Sequence, residues 1–308
     1  MNNSIKKESD DESLKNTSKN WWSNFSQDYV SPGETDHLGV PEELDDQSFL
    51  EYLEYIDGNF MLDGFFAQDR SKALFSNLIP RDLSGMKVLE IGCGLGAHTE
   101  QLCLSGAEVT SIDLAPQSIN ITKRRLKLKN LSANVFEADA ENLPFEDSEF
   151  DLIWSWGVIH HSPNTIKCAQ EIERILKING ELRIMLYHSN SFYNWINVIF
   201  RYGILQGKLL KMSIQDLHNR YTDGKKEDGS PLAKYYSRKE IKNSLFPNLD
   251  ISSQTTFEQK NVISSFFPKK YRRKIESYIP DRIYNFIWSY FGFLIFTIAK
   301  KNKYYFQI

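Results

Sequence analysis

The sequence is poor in cysteine and carries little excess charge of either sign. Its 308 residues include three cysteines that form no CxxC pair and match no zinc-ligand spacing: Cys93, Cys103 and Cys168. We therefore expect neither a disulfide framework nor a metal site, and this cysteine usage predicts a reducing, cytoplasmic location. The formal net charge of −3 gives no electrostatic reason to expect a nucleic-acid partner.

Long hydrophobic runs are also scarce. The one long uncharged run, from Ile283 to Ala299, is short for a membrane span and contains Gly292. A helix followed by a buried strand is predicted there, without stable membrane insertion. Residues 1–20 are polar and lack the apolar core of a signal peptide, so we expect a disordered tail.

From Met86 onward, short apolar runs alternate with segments of helical periodicity. Five strands are predicted at KVLEIG, EVTSIDL, ANVFEAD, FDLIWSW and ELRIMLY, and two later ones at LDISSQTTF and GFLIFTIAK. A helix is predicted over TIKCAQEIERILKING, with Gly180 after its end. Strands that alternate with helices predict an α/β domain with a doubly wound, mostly parallel sheet and helices on both faces.

The pattern divides the chain into three parts. The disordered tail is followed by a helical lid segment over residues 21–85, and the α/β domain covers residues 86–308. Regular alternation lapses at about 188–236, where a helical insert is predicted. Five apolar residues of the insert recur at helical spacing: Phe192, Trp195, Ile196, Ile199 and Phe200. We expect this stripe to pack against the domain rather than form a lid, a dimer face or a membrane contact.

The stretch VLEIGCGLGAHTEQL places Gly92, Gly94 and Gly96 between a strand and a helix. Glycine lets the backbone turn tightly and lets a ligand approach the free N–H groups of the helix. A phosphate-binding P-loop is excluded because no Gly-Lys-Ser/Thr follows. A nicotinamide dinucleotide stays open, because Gly92, Gly94 and Ala97 fit G-x-G-x-x-A and Asp113 lies at a suitable distance for a ribose hydroxyl.

Beyond the loop, residues from about Met86 to Tyr187 resemble the class I S-adenosylmethionine-dependent methyltransferases. In that family the first strand ends in E/D-x-G-x-G-x-G, with Glu90 here, and the second ends in an acidic residue, here Asp113. An acidic turn follows in EADAENLPFEDSEFD, then the strand FDLIWSWGVIHHSPN and, after a helix, a fifth strand. Five elements in the family order favour a methyl donor over a nicotinamide. The resemblance implies a Rossmann-like seven-stranded sheet with an antiparallel last strand.

The resemblance also implies S-adenosylmethionine as cofactor and S-adenosylhomocysteine as product. Asp113 is expected to accept hydrogen bonds from both ribose hydroxyls, and Asp139 from the adenine amine, although each could instead cap a helix or a turn. The sulfonium side is expected beside Trp156. The full set of expected cofactor residues is Glu90, Gly92, Cys93, Gly94, Gly96, Asp113, Leu114, Asp139, Ala140, Trp156, Gly157 and Val158.

His160 and His161 follow the fourth strand, beside the expected methyl group. Several small-molecule enzymes of this family carry a histidine there as general base, and we expect His161 first and His160 second in that role. Both could instead be structural. No NPPY-type motif of nucleic-acid amino-group methyltransferases is present, so we predict an enzyme that methylates O, N or C of a small molecule, such as a specialised metabolite, a lipid-like quinol or a sugar derivative. The alternatives are a nicotinamide-dependent oxidoreductase and a non-catalytic S-adenosylmethionine-binding protein.

Two further features concern the acceptor. Aromatic residues before the first strand and in the insert are expected to close over it: Trp21, Trp22, Phe25, Tyr29, Phe192, Tyr193 and Trp195. Packing is the competing explanation for each of them. The basic cluster KKYRRK, Lys269–Lys274, could attract an anionic acceptor or a membrane surface, but such a run is more often a solvated face.

Overall fold

The computed structural model describes residues 2–25, 41–57, 78–223, 229–257, 278 and 280–302. Its strands are β1 Lys87–Ile91, β2 Glu108–Asp113, β3 Asn134–Glu137, β4 Phe150–Trp156, β5 Leu176–His188, β6 Tyr235–Tyr236, β7 Leu249–Phe257 and β8 Leu294–Lys301. The α-helices among these residues are α1 Asn2–Phe25, α2 Asp46–Asp57, α3 Ala97–Leu104, α4 Pro116–Leu128, α5 Thr165–Ile175, α6 Ile214–Tyr221, α7 Arg238–Glu240 and α8 Asp281–Phe291. The predicted basic cluster at 269–274 lies outside the described residues.

All these strands join one sheet, in the order β3-β2-β1-β4-β5-β8-β7. Strands β1 to β5 pair with one another in parallel, whereas β8 runs antiparallel to both β5 and β7. The seven predicted strands and the antiparallel last strand are therefore confirmed. The two-residue β6, which pairs with the end of β5, was not predicted.

Apolar side chains cover both faces of the sheet. Leu89 and Ile153 point into one core with Ile172 of α5, whereas Trp154 points into the other with Leu102 of α3. Strand β4 is buried along nearly its whole length, as expected for a central parallel strand covered on both sides. The carboxyl ends of β1, β2 and β4 meet at one edge of the sheet, where open α/β folds bind ligands.

Two boundaries differ from the sequence prediction. Helix α5 ends at Ile175, earlier than the predicted stop before Gly180, because Leu176 already pairs with Phe150 of β4. The chain then turns at Asn179, which has a φ of 66°. By contrast, the uncharged run is a helix followed by a strand, as predicted: α8 ends at Phe291 and β8 begins at Leu294. Within the described residues, no helix has the length and apolar character to cross a membrane.

The amino-terminal region differs most from expectation. Residues 1–20 were expected to be disordered, yet α1 runs from Asn2 to Phe25. Its sequence is polar on most sides, so an apolar face cannot explain why it folds. Instead, Lys15 forms ion pairs with Asp139 and Glu141, and Ser18 is buried against the rest of the protein. Tertiary contacts therefore stabilise a helix that local periodicity does not predict.

The insert is helical, and its predicted apolar stripe is divided: Phe192 packs against Trp288 and Phe291 of α8, whereas Trp195 and Phe200 are exposed. Its main helix, Tyr193–Leu205, has i→i+5 hydrogen bonding, which gives each turn roughly four to five residues. Its buried residues are Asn194, Asn197, Val198 and Gly203; of these, Asn194, Val198 and Gly203 are separated by four and five positions. Trp195 of the predicted stripe is 56% exposed, so the α-helical period of 3.6 did not predict its side of the helix.

Candidate active site

A cavity that is partly open to solvent lies at the carboxyl edge of the sheet. Its walls come from the glycine loop after β1, the end of β2, the turn after β3, the end of β4 and one side of α1. The lining includes nine of the twelve residues expected at the cofactor: Gly92, Gly94, Asp113, Leu114, Asp139, Ala140, Trp156, Gly157 and Val158. Glu90, Cys93 and Gly96 do not line it.

The three glycines of the loop have different surroundings. A Cβ on Gly92 would lie 2.2 Å from Cγ2 of Val158, and one on Gly96 would lie 3.0 Å from Oγ1 of Thr122. Both glycines therefore allow close packing of the protein against itself. Only a Cβ on Gly94, which has a φ of 51°, would meet nothing within 4 Å. Gly94 is thus the position where the loop backbone is open to a ligand.

Asp113 ends β2 beside this opening. Its Oδ2 accepts a hydrogen bond from the Gly94 N–H at 3.0 Å, and its Oδ1 accepts one from the Ala115 N–H at 2.9 Å. Burial raises the pKa of the Asp113 carboxyl, and the backbone hydrogen bonds oppose that shift. Each carboxylate oxygen accepts more than one hydrogen bond, so acceptor positions remain for ligand hydroxyls. Asp113 therefore fixes the loop and faces the cavity at once.

Glu90 lies beneath the cavity rather than in it. Its fully buried Oε2 accepts hydrogen bonds from the hydroxyls of Thr99 and Ser111, the latter at 2.7 Å. Burial raises the pKa of Glu90 to about 7, although these hydrogen bonds lower it. Glu90 therefore joins α3 to β1 and β2, and its predicted place among the residues around the cofactor stays a prediction. Cys93 is buried similarly, away from the cavity.

The acidic turn after β3 is paired with α1. Lys15 Nζ lies 2.6 Å from Asp139 Oδ2 and 2.9 Å from Glu141 Oε2. Burial alone would lower the pKa of Lys15, but the two carboxylates outweigh it and raise that pKa. Asp139 also caps its own turn, since Oδ1 accepts a hydrogen bond from the Glu141 N–H at 2.9 Å. The sequence analysis missed Lys15 because it lies in a segment without a motif.

The two histidines after β4 have different environments. His160 is fully buried against Tyr187, with ring centroids 4.0 Å apart, and does not line the cavity. Neither of its ring nitrogens has a hydrogen-bond partner among the residues that the structure describes. His161 lines the cavity, and its ring centroid lies 4.9 Å from that of Trp22 on α1. Only His161 therefore has the position expected of a base.

The hydrogen bonds of His161 define its protonation. Nδ1 lies 2.5 Å from the carbonyl oxygen of Leu232, which can only accept, so Nδ1 carries the proton. In the neutral ring Nε2 is then the free acceptor, 3.7 Å from Oδ2 of Asp223. Burial lowers the pKa of His161, and the Asp223 charge and the Leu232 carbonyl oppose this effect. The neutral ring is therefore the stable form near neutral pH.

Asp223 completes this group, and no motif in the sequence indicated it. Its Oδ1 accepts a hydrogen bond from the Tyr187 hydroxyl at 2.7 Å, which leaves Oδ2 directed at His161. Burial raises the pKa of Asp223, while His161 and Tyr187 lower it. A carboxylate held in this way stabilises positive charge on the neighbouring imidazole.

Of the aromatic residues expected to close the site, Trp22 lines the cavity. The side chain of Phe25 and the whole of Tyr29 lie outside the described residues. Phe192 stacks on Phe291 of α8 instead, with centroids 4.8 Å apart, and Trp195 is exposed. The lid wall of the cavity therefore comes from α1 and not from the aromatic residues of the insert. Within the described ranges, no group of three or more His, Cys, Asp or Glu side chains is arranged to hold a metal ion.

Comparison with known proteins decides between the ligand classes. A family model described as a methyltransferase domain matches residues 89–184, which contain the glycine loop, Asp113, Asp139 and both histidines. The chain carries a class I S-adenosylmethionine-dependent methyltransferase domain. The nicotinamide alternative is therefore set aside, and S-adenosylmethionine is the cofactor of this domain.

The relatives of the methyltransferase domain include enzymes named for lipids. The chain is 29% identical over 155 residues to the sterol 4-C-methyltransferase strm-1 of Caenorhabditis elegans, covering 47% of this chain and 46% of that protein. It is 36% identical over 117 residues to phthiotriol/phenolphthiotriol dimycocerosates methyltransferase 1 of Mycobacterium ulcerans, covering 37% and 42%. The chain thus spans less than half the length of these relatives.

A solved structure confirms the fold of the methyltransferase domain. An S-adenosylmethionine-dependent methyltransferase of Methanosarcina mazei superposes with a TM-score of 0.52 at 19% identity, over 74% of this chain and 97% of that one. The cavity also fits the cofactor chemically. Gly94 leaves open space against backbone, Asp113 retains acceptor capacity for hydroxyls, and buried carboxylates suit a cofactor with a positively charged sulfur.

Proposed function

We propose that this protein transfers a methyl group from S-adenosylmethionine to a hydroxyl of a small, lipid-like acceptor, with His161 as general base. The observation that carries the proposal is the position of His161. It lies on the same cavity as Gly94 and Asp113, and its Nδ1 proton is fixed on the Leu232 carbonyl. That arrangement leaves Nε2 to accept a proton from an acceptor.

The cofactor residues carry over from the sequence prediction where they line the cavity. Gly94 and Leu114 would lie against the cofactor, Asp113 would accept from its ribose hydroxyls, and Asp139 would meet its adenine. Trp156, with Gly157 and Val158, would lie on the sulfonium side. Bound S-adenosylmethionine supplies a methyl group that is already activated by its positively charged sulfur.

The acceptor class is inferred from the cavity wall and from the relatives. Five apolar side chains line the cavity together with His161, beside the polar Ser18 and Ser162: Trp22, Trp156, Val158, Ile159 and Pro163. The matched relatives are named for sterols and phthiotriol dimycocerosates. An apolar wall favours a hydrophobic acceptor over a sugar derivative, because each buried CH₂ group contributes about 0.8 kcal/mol.

A hydroxyl acceptor needs a base because a neutral hydroxyl is a poor nucleophile. His161 takes the hydroxyl proton at Nε2, and the resulting imidazolium lies beside Asp223, whose other oxygen is held by Tyr187. Burial keeps the pKa of His161 below its ordinary value, so the ring is neutral and ready before the proton arrives. Asp223 then stabilises the charge that His161 acquires.

Helix α1 closes the cavity on the lid side. Lys15 pairs with the acidic turn, and Trp22 packs against the His161 ring. The helix thereby shields part of the cavity from water, which strengthens the electrostatic interactions there. We also place the protein in the cytoplasm, supported by three cysteines that are all unpaired.

The test is turnover of His161→Ala on a panel of sterols and long-chain alcohols. The rate should fall by roughly 10²–10⁴-fold, the usual contribution of a general base, while affinity for S-adenosylhomocysteine stays unchanged. His160→Gln is the matched control, since His160 is adjacent but outside the cavity; it should keep the wild-type pH profile. Equal rates for His161→Ala and wild type would remove His161 as base. Cofactor binding without turnover on any acceptor would favour the non-catalytic alternative.

A further inference from the structure

The insert presents an apolar face to solvent. We define this face by six side chains that are between 47% and 89% exposed: Trp195, Phe200, Ile204, Leu205, Leu210 and Ile214. In the i→i+5 helix, Trp195, Phe200 and Ile204 recur at intervals of five and four, so they fall on one side. Of the remaining three, Leu205 ends that helix, and Leu210 and Ile214 follow it in the chain. So large a group of exposed apolar side chains marks an interaction surface rather than ordinary surface variation.

The charge of the same segment indicates its partner. Residues 189–215 contain no Asp or Glu and three basic residues, Arg201, Lys208 and Lys211, although the chain as a whole has a net charge of −3. Lys211 is exposed next to Leu210, whereas Lys208 lies over the Tyr221 ring, 4.5 Å from its centroid, and Arg201 lies over the Tyr202 ring. Exposed Trp, Phe, Ile and Leu side chains next to Lys and Arg are the composition of a surface that lies in a membrane interface. An anionic lipid surface complements both the apolar and the cationic groups.

A second helix extends the face. On α8, Ile283, Phe286 and Tyr290 are exposed at helical spacing. The two helices meet where Phe192 stacks on Phe291, with ring centroids 4.8 Å apart. The insert helix and α8 are therefore in contact, and each carries exposed apolar side chains.

The insert also connects this face to the cavity. The Tyr193 hydroxyl donates to the carbonyl of Tyr221 at 2.5 Å, and the rings of Tyr202 and Tyr221 stack 4.0 Å apart. Tyr221 ends α6, and Asp223, two residues later, faces His161. The helix that bears the exposed face is thus packed against the helix that leads into the active site.

We infer that the apolar face docks onto the surface of an anionic lipid bilayer, as a peripheral contact. The inference rests on exposure and charge, and it does not require the methyl-transfer proposal. Docking would place the insert in the lipid interface while α6 and Asp223 stay with the catalytic cavity.

The test is flotation of the full-length protein with vesicles of phosphatidylcholine alone or with one-third phosphatidylglycerol. Wild type should bind the anionic vesicles more tightly. Leu210→Glu, at an 89% exposed position where folding is not at risk, should weaken binding roughly tenfold or more, as should Trp195→Glu. Lys211→Gln should weaken it roughly fivefold. Leu104→Glu, at a 62% exposed position on α3, is the matched control and should bind as wild type does.

Three results would overturn the inference. The first is wild-type protein that floats with neither kind of vesicle, and the second is variants of the face that bind as tightly as Leu104→Glu. The third is a wild-type dimer in light scattering that does not bind vesicles and that Leu210→Glu converts to a monomer, since a second copy would then cover the face. Because flotation needs no cofactor or turnover, its failure leaves the methyl-transfer proposal to its own test.

Discussion

The two walls of the cavity are built in different ways. On the cofactor wall, Asp113 holds the N–H of Gly94, 19 residues away in sequence, and both lie within one β-α-β unit. The opposite wall is formed by α1 and the segment that holds His161, and we call it the lid wall from here on. There Lys15 pairs with Asp139, which is 124 residues distant, and His161 bonds to the carbonyl of Leu232, 71 residues away. The cofactor wall is a local motif, whereas the lid wall exists only once distant segments have folded together.

This difference implies a division of labour. A local motif fixes the ligand through backbone geometry, so changes there should act on cofactor affinity. Contacts between distant segments position the base and close the cavity, so changes there should act on turnover and on the pH profile. The following predictions test that division from the largest expected effect to the smallest.

Gly94→Val should abolish measurable S-adenosylhomocysteine binding, a loss of roughly 100-fold or more, because a branched side chain would enter the open space of the cavity. Calorimetric titration measures this loss. Gly85→Val is the matched control: Gly85 also has a positive φ with nothing near its Cβ, but it does not line the cavity. If both variants bind equally, the loop backbone does not approach the cofactor.

Asp113→Ala should weaken S-adenosylhomocysteine binding by about 1.5–3 kcal/mol, the contribution of hydrogen bonds to a charged group. The loss should appear in titration calorimetry of a protein that circular dichroism shows to be folded. Asp82→Ala is the control, because Asp82 also accepts a hydrogen bond from a backbone N–H nearby in sequence but lies outside the cavity. Unchanged affinity in Asp113→Ala would remove this carboxylate from the ribose site.

Asp223→Asn should lower the rate roughly tenfold and move the acid limb of the pH–rate profile to lower pH. The Asp223 charge raises the pKa of His161, so its removal lets burial depress that pKa further. Along this limb the rate falls as the pH decreases through the pKa of His161, because protonated His161 cannot accept a proton. Tyr187→Phe keeps the charge and should shift the limb less. An unmoved limb in Asp223→Asn would show that Asp223 does not act on the base.

Lys15→Met should lower the free energy of local unfolding of α1 by about 1 kcal/mol, because a partly buried ion pair with two carboxylates is lost. Hydrogen exchange of the α1 amides should speed up roughly fivefold, with less change in S-adenosylhomocysteine affinity than in Asp113→Ala. Lys19→Met removes the more exposed contact with Glu137 and should have a smaller effect. Equal protection in Lys15→Met and wild type would mean that other contacts hold the lid.

The sequence predicts one wall of the cavity better than the other, for physical reasons. Strand periodicity and glycine spacing place Gly94 and Asp113 at the edge of the sheet where the cavity lies, because both signals are local. Glu90 does not line the cavity, because the motif gives its position in the strand but not the side of the backbone on which its side chain lies. Lys15 and Asp223 carry no local signal at all. Their roles depend on partners that only the folded chain brings together.

The helix of the insert shows a second limit. Five apolar residues were assigned to one buried stripe on an α-helical period, whereas the i→i+5 helix buries Asn194, Asn197, Val198 and Gly203 and leaves Trp195 and Phe200 of that stripe exposed. Composition alone does not reveal the hydrogen-bond register of a helix, and the register decides which face is exposed.

The most direct test of the account is a crystal structure with S-adenosylhomocysteine bound. We expect the ribose hydroxyls to lie within hydrogen-bonding distance of Asp113 and the adenine to lie beside Asp139. The sulfur should lie on the side of the cavity that holds His161. A nucleoside bound elsewhere, or a sulfur directed away from His161 with Asp113 unengaged, would contradict it.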